Sequence, residues 1–219
     1  MKMEQRIFPQ GELFHICNKS IAGYGIFKDP DNIQRFIDTI DYYNNISPQA
    51  SFSKLLRSGR YNSNNLLYPK ASSQVKILCY CIMPDHYHLL LKVLTASSIS
   101  KYISDIENSY TRFFNIRWVR KGPLWQSRFR AVRIESEEQL LHTTRYIHLN
   151  PTTANLVRRP EDWLWSSYKE YISNDKILKE IVTEISIKNP ARYKKFVENR
   201  IDYQKKLKLI KKLMLERSY

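Results

Sequence analysis

Two apolar runs separated by a two-residue break constrain the fold of this 219-residue chain more than any other feature. Residues 75–83 (VKILCYCIM) and 86–94 (HYHLLLKVL) have the length and the apolar, aromatic content of strands, and only Pro84 and Asp85 lie between them. The pattern predicts an antiparallel hairpin whose second strand begins with two histidines one residue apart.

The segments around this hairpin complete the pattern of an α+β domain. Further strands are predicted over residues 12–18 and 129–135, and helices over 28–45, 97–115 and 136–150. The order is strand, helix, strand, strand, helix, strand, helix. Its first six elements predict a ferredoxin-like split βαβ fold, in which an antiparallel sheet carries helices on one face.

The last of these helices has boundary signals at both ends. Ser136, followed three residues later by Gln139, is a capping-box pattern at its start. Pro151 is predicted to end it, because the residue before a proline is pushed out of helical geometry.

The chain is predicted to form one domain over residues 1–174, followed by a basic helical extension over 175–219. Inside the domain, residues 45–73 are polar and are predicted to form a long loop or a partly ordered insertion. The basic end of the extension could hold DNA, contact a partner or bind a membrane surface. The alternative is a solvated helical face.

The charge of the chain indicates a polyanionic partner. Lys and Arg number 36 against 21 Asp and Glu, which gives a net charge of +15. Nucleic acid is the first candidate and an anionic membrane surface the second, and a basic protein without such a partner is the alternative. The chain has neither an apolar run long enough to span a membrane nor an apolar N-terminal signal, and its three cysteines suit a reducing compartment. These features predict a cytoplasmic protein.

Residues 111–133 interleave cations with aromatic rings and contain no acidic residue. Cations that follow phosphates beside rings that stack on bases are typical of a surface for single-stranded nucleic acid. The alternative is a solvated loop whose aromatic residues belong to the core. The residues predicted to contact DNA are Arg112, Arg117, Arg120, Lys121, Trp125, Arg128 and Arg130.

His86 and His88 lie two apart in a predicted strand, so their side chains point to the same face. Two converging imidazoles are what two ligands of one metal ion require, although a pair of structural histidines is an alternative. Cys79 and Cys81 lie nearby in the hairpin, which leaves a structural zinc site open as well. Paired zinc cysteines are normally two to four residues apart, however, and this spacing is shorter.

The helix over 136–150 carries polar groups at a spacing of four. His142, Tyr146 and Asn150 stack along one side, displaced from the apolar stripe. An amide oxygen one turn from a tyrosine could bind a metal, but with fifteen tyrosines in the chain this pattern alone is weak.

Four stretches together resemble the single-tyrosine HUH transposases of the insertion-sequence-200-like type, most closely the REP-associated tyrosine transposases. They are MPDHYHLLL, SYTRFFN with the following RKGPLWQSRFR, RYIHLNPTTANLV and WLWSSY. The resemblance runs from Phe14 to Tyr168. It implies that His86 and His88 are metal ligands, that Asn150 supplies the third ligand and that Tyr146 is the nucleophile. Tyr110 is the second candidate nucleophile, but its place on an apolar stripe predicts packing.

The resemblance further implies Mg²⁺ or Mn²⁺ as the cofactor and single-stranded DNA beside a hairpin as the partner. Tyr146 would cleave and rejoin that DNA through a 5′-phosphotyrosine intermediate. It also implies a possible homodimer, and leaves open whether Tyr146 acts with the histidines of its own chain or of a partner. The competing hypotheses are a domesticated, non-catalytic DNA-binding protein and a basic nucleic-acid-binding protein with structural zinc.

Overall fold

Four strands within the described residues, 7–48, 50–96 and 98–206, form an antiparallel sheet in the computed structural model of the protein. The strands are β1 (Leu13–Lys19), β2 (Val75–Ile82), β3 (His86–Val93) and β4 (Arg130–Ile134). Their order across the sheet is β2-β3-β1-β4. Because β3 lies between β1 and β2, and β1 between β3 and β4, each strand–helix–strand unit is split by a third strand. The predicted ferredoxin-like α+β fold is therefore confirmed.

Six α-helices accompany these strands in the described part of the chain. They are α1 (Pro30–Tyr43), α2 (Phe52–Arg57), α3 (Ser98–Arg117), α4 (Glu137–Thr153), α5 (Tyr168–Ser173) and α6 (Pro190–Glu198). The side chain of Ser136 accepts a hydrogen bond from the backbone N–H of Gln139 (3.1 Å), as the capping pattern predicts. None of the described helices is long and apolar enough to cross a lipid bilayer.

Two compact units divide these elements. The first comprises residues up to Leu78 together with Pro84–Ile134, and the second comprises Cys79–Met83 together with the residues from Glu135 onward. In the first unit, α1 and α3 pack together against one face of the sheet. The Phe36 ring of α1 lies 5.1 Å from the ring of Tyr87 in β3, and Glu107 of α3 accepts a hydrogen bond from the Tyr87 hydroxyl (2.7 Å).

The second unit is built around His148 of α4. The rings of Tyr168, Tyr171 and Tyr193 surround this imidazole at centroid distances of 5.3, 4.9 and 5.8 Å. Tyr193 belongs to α6, so a helix that the sequence assigned to an extension contributes a fully buried side chain to this unit. Residues 207–219, the basic end of that predicted extension, lie outside the described residues.

The predicted end of α4 at Pro151 is wrong, because the helix continues to Thr153 with the proline inside it. A proline removes one backbone N–H donor, but it does not remove the acceptors on either side of it. The backbone N–H of Ala154 still donates to the carbonyl of Asn150 (2.9 Å), and that of Leu156 donates to the carbonyl of Pro151 (3.0 Å). These bonds hold the last turn together.

Residues 45–73 contain a helix that the sequence prediction of a loop missed. Phe52 at the start of α2 is fully buried, and its ring stacks on that of Tyr42 at 5.0 Å. Because a helix of only six residues has little apolar periodicity, its packing rather than its pattern stabilises it.

Candidate active site

β3 places His86 and His88 on the same face of the sheet, as the spacing predicted. Their ring centroids lie 5.0 Å apart, with the ring planes perpendicular. His88 lies opposite Cys17 of β1 in the register of the two strands, and His86 lies opposite Lys19. The helices of this unit contact the other face through Tyr87, so the histidine face is separate from the helix-packed one.

Asp85 fixes the orientation of His86. Its carboxylate lies 2.5 Å from Nδ1 of His86, and Lys19 forms an ion pair with the same carboxylate at 3.2 Å. The hydrogen bond with His86 is the largest cause that lowers the pKa of Asp85 to about 2, so the carboxylate is ionised at neutral pH. Since Nδ1 is engaged, Nε2 is the ring nitrogen of His86 that would ligate a metal.

His15 holds His88 in a similar way. Nε2 of His15 lies 2.9 Å from Nδ1 of His88, and the two rings are stacked with centroids 5.1 Å apart. Burial lowers the pKa of His15 to about 4, and burial, followed by the charges of His15 and His86, lowers the pKa of His88 well below its usual range. Both rings are therefore neutral near pH 7, which is the form that binds metal ions.

Cys17 completes a cluster that sequence reasoning missed. The potential ligand atoms of His15, Cys17 and His88 all lie within 4.8 Å of one another, so this group could hold a metal ion. The signal was available in the sequence, because ELFHICN alternates His15 and Cys17 with Phe14 and Ile16 just as HYH alternates its histidines with a tyrosine.

Cys79 and Cys81, the cysteines of the predicted zinc site, do not belong to the cluster of His15, Cys17 and His88. Cys79 and Cys81 are fully buried, and burial raises the pKa of each thiol. The Sγ of Cys81 lies 3.6 Å from the sulfur of Met83. Among the described residues, the His/Cys cluster that could bind a metal contains neither of them.

α4 presents Tyr146 on its exposed side. The Tyr146 side chain is 44% exposed, and the next residue, Ile147, is fully buried. Asn150, one turn later, donates from Nδ2 to the backbone carbonyl of Tyr146 at 3.0 Å. With the amide nitrogen turned to the helix, Oδ1 is the Asn150 atom that would serve as a ligand. His142, which also lies on this side, is exposed and has Nδ1 3.3 Å from the guanidinium of Arg145.

The buried side of α4 is held by His148. Its Nδ1 lies 2.9 Å from the Tyr193 hydroxyl and its Nε2 lies 2.9 Å from Oγ of Ser167. Burial lowers the pKa of His148 to about 3, so the ring is neutral and serves as a hydrogen-bonding part of the core. These contacts fix the helix that carries Tyr146.

Tyr110, the second candidate nucleophile, is packed as predicted. Its side chain is fully buried, and its hydroxyl donates to the carbonyl of Ile26 at 2.8 Å. Burial raises the pKa of this phenol, which makes it a poorer nucleophile than an exposed tyrosine.

Three residues of the predicted DNA-binding segment have partners within the first unit. Arg117 pairs with Asp29 at 3.0 Å, and Arg120 donates to Oδ1 of Asn115 at 2.9 Å. Trp125 is half-buried, with its ring 5.6 Å from that of Tyr87, and its Nε1 donates to the Glu107 carbonyl at 3.2 Å. The remaining four, Arg112, Lys121, Arg128 and Arg130, are exposed. The DNA contacts of all seven stay predictions.

Comparison with known families shows what this chain is similar to. Residues 64–150 match the family model described as "Transposase IS200 like". This region includes His86, His88, Tyr146 and Asn150. The predicted resemblance to insertion-sequence-200-like transposases, which process DNA, is therefore confirmed.

More specific matches point to the REP-associated tyrosine transposases. A Haemophilus influenzae protein named "Putative REP-associated tyrosine transposase" is 29% identical over 98 residues, which are 40% of this chain and 56% of that protein. This chain thus spans little more than half the length of that relative. A solved structure of a REP-associated tyrosine transposase bound to a REP hairpin aligns with a TM-score of 0.54 at 16% identity. It covers 80% of this chain and 87% of the other, which shows a shared fold.

Proposed function

We propose that this protein is a metal-dependent endonuclease and strand transferase that cleaves and rejoins single-stranded DNA near hairpins. The observation that carries the proposal is the pair of histidines on β3, each fixed in orientation by a hydrogen bond at Nδ1. Nδ1 of His86 is bound by Asp85 at 2.5 Å and Nδ1 of His88 by His15 at 2.9 Å, so both rings would use Nε2 toward a metal. Asp85, His86 and His88 lie in the region that matches the transposase family, and His15 lies outside it.

The donor set suits a divalent ion. His86, His88 and Asn150 would hold Mg²⁺ or Mn²⁺, whose Lewis acidity would polarise the scissile phosphate. Neutral imidazoles and an amide oxygen carry no charge, so the site would keep the full positive charge of the ion for the phosphate. In this arrangement Asp85 and His15 would act as positioning residues, because each contacts Nδ1 of a proposed ligand histidine.

Tyr146 would perform the bond exchange. Its phenol oxygen forms a bond to phosphorus while the bond from phosphorus to the 3′-oxygen breaks. The phenol proton passes to a base or to water, and the departing 3′-oxygen is released as a hydroxyl. The DNA 5′ end remains attached as a phosphotyrosine, so a 3′-hydroxyl can attack it, rejoin the strand and regenerate the phenol.

The proposed substrate is DNA with a hairpin, as in a transposon end or a REP-like element. The fold shared with a REP-associated transposase bound to a REP hairpin supports this choice, as does the net charge of +15. A homodimer, in which Tyr146 of one chain acts with the histidines of another, is part of the proposal. So is a cytoplasmic location, where the DNA would be met.

A covalent-adduct assay tests the proposal. End-labelled single-stranded DNA carrying candidate hairpins is incubated with the protein and Mg²⁺ or Mn²⁺, and the products are separated on a denaturing gel. We expect a protein–DNA adduct that disappears with EDTA and with Tyr146→Phe, because EDTA removes the metal ion and the substitution removes the attacking phenol oxygen. Tyr203→Phe is the matched control, since Tyr203 is another exposed tyrosine (54%), and it should leave the adduct unchanged.

Two results would contradict this function. Tight hairpin binding without an adduct, across several sequences and both ions, would favour a non-catalytic DNA-binding protein. An adduct that persists in Tyr146→Phe would mean that a residue other than Tyr146 is the nucleophile.

A further inference from the structure

A groove between α1, α2 and α3 lies in the first unit, on the side of the helices. It has a volume of about 710 Å³, and the residues that line it include Arg35, Ser53, Arg57, Arg112, Phe113 and Arg117. We propose that this groove binds the phosphate backbone of single-stranded DNA, as a contact additional to the histidine face. The inference deepens the proposed function, and rests on it for the choice of ligand.

Charge is the first argument. The groove is lined by four arginines, of which Arg117 is paired with Asp29 and Asp31 outside the lining, and Asp105 is the one acidic residue among its described lining residues. Asp105 is itself paired with Lys101 at 2.5 Å, so it offsets little of the positive charge. Arg57 and Arg112 are exposed and have no carboxylate within 4.0 Å in the described part of the chain. Such arginines are available to phosphate oxygens.

Arg35 is the second argument, because it is a buried cation. Its residue is 8% exposed, and its guanidinium lies 4.2 Å from the ring centroid of Phe52 and 5.1 Å from that of Phe113. One amino group donates to Oγ of Ser53 at 3.0 Å. Burial lowers the pKa of Arg35, and the charge of Asp38 offsets this effect only in part. A phosphate in the groove would compensate a charge that is otherwise costly to bury.

The rings and apolar side chains in the groove favour a strand over a free phosphate ion. Phe113 and Tyr43 are half-buried lining residues, and Ile116 is 71% exposed. Unpaired bases stack on such surfaces while arginines follow the backbone, whereas a phosphate ion would use the arginines alone. The groove also gives a role to α2, whose Ser53 and Arg57 belong to the 45–73 segment, for which the sequence predicts a loop or a partly ordered insertion.

Equilibrium binding tests the groove separately from catalysis. Fluorescence anisotropy with labelled oligothymidine that forms no hairpin is measured in EDTA, on a Tyr146→Phe background, so that no covalent step contributes. We expect Arg57→Gln and Arg112→Gln each to raise Kd about fivefold. Each should also lower the slope of log affinity against log salt by about 0.7, the value for one lost phosphate contact on a single strand.

Arg60→Gln is the matched control. Arg60 is an exposed arginine of the same 45–73 segment that does not line the groove. We expect Arg60→Gln to change the Kd for oligothymidine less than twofold. Thermal unfolding of each variant checks that the fold is kept. Since Arg57 and Arg112 are exposed, their replacement should not move the melting temperature.

Two outcomes would overturn the inference. If Arg57→Gln and Arg112→Gln bind oligothymidine as Arg60→Gln does, the groove holds no strand. If inorganic phosphate displaces the oligonucleotide better than chloride at equal ionic strength, and Arg57→Gln abolishes that effect, the groove is a site for phosphate ions. Neither outcome depends on adduct formation, and a missing adduct with the expected binding changes would count against the proposed chemistry alone.

Discussion

Helices α3 and α4 each carry a tyrosine and a buried titratable group, but they place the tyrosine differently. On α3, Tyr110 and Glu107 both point into the first unit, where the phenol donates to Ile26 and the carboxyl accepts from Tyr87. On α4, His148 is buried and Tyr146, two residues earlier, is 44% exposed. The difference shows that a buried polar group with a fixed partner supports the fold, whereas Tyr146 lies on the solvent-exposed side of a well-anchored helix.

The largest effect on stability is expected from replacing the buried histidine of α4. His148→Leu should lower the free energy of unfolding by about 3 kcal/mol, because the Tyr193 hydroxyl and Oγ of Ser167 each lose a buried partner. Chemical denaturation measures the change. His142→Leu is the control on the exposed side of α4 and should stay within about 0.5 kcal/mol. Equal effects of the two variants would contradict the structural role of His148.

The two tyrosines should respond to the same substitution in opposite ways. Tyr110→Phe should cost about 1 to 2 kcal/mol of unfolding free energy, because the buried Ile26 carbonyl loses a donor at 2.8 Å. Tyr146→Phe should cost less than about 0.5 kcal/mol, since its side chain is exposed. Denaturation measures stability, and the adduct assay should give the reverse order. An adduct lost in a folded Tyr110→Phe variant would break the comparison.

The smallest effect is expected at Glu107, and it depends on pH. Burial raises the pKa of this carboxyl, and the hydrogen bonds from Asn18 and Tyr87 offset only part of that effect. A raised pKa means that the folded state binds its proton more tightly than the unfolded state. Stability from this group is therefore present below the ordinary value of 4.5 and is lost as pH rises through the folded pKa.

Glu107→Gln removes that loss, because the amide remains neutral while its oxygen can still accept from Asn18 and Tyr87. We expect the variant to be more stable than the wild type at pH 7, with the difference shrinking toward zero below pH 4.5. Unfolding measured across this range checks the sign. A constant difference between variant and wild type at every pH would show that Glu107 does not titrate as proposed.

The sheet could be predicted from the sequence because apolar runs of strand length indicate β2 and β3, and alternate residues of a strand share a face with a period of two. The face shared by His86 and His88 followed from that period alone. His15 and Cys17 have the same alternation in β1, but this pattern alone does not place them beside His88, because packing across the whole sheet decides which strands become neighbours. The contact between His15 and His88 joins residues 73 positions apart.

Local rules failed where tertiary contacts outweighed them. α4 continues past Pro151, where Pro151 and Thr152 are buried, and α2 forms because the side chain of Phe52 is buried. Trp125 lies in the predicted DNA-binding segment, and its indole N–H donates to the backbone carbonyl of Glu107, so its ring also packs within the first unit. The spacing of aromatic residues cannot show which rings face the core.

The alternation along β3 has a consequence for how this gene can change. Neighbouring residues point to opposite faces: His86 and His88 belong to the candidate metal site, while Tyr87 and Leu89 belong to the core. Substitutions can alter either set separately. Insertion or deletion of a single codon within the strand would exchange the two sets, with imidazoles turned to the core and apolar side chains to the site. In this strand, in-frame insertions and deletions should be far less tolerated than amino-acid substitutions.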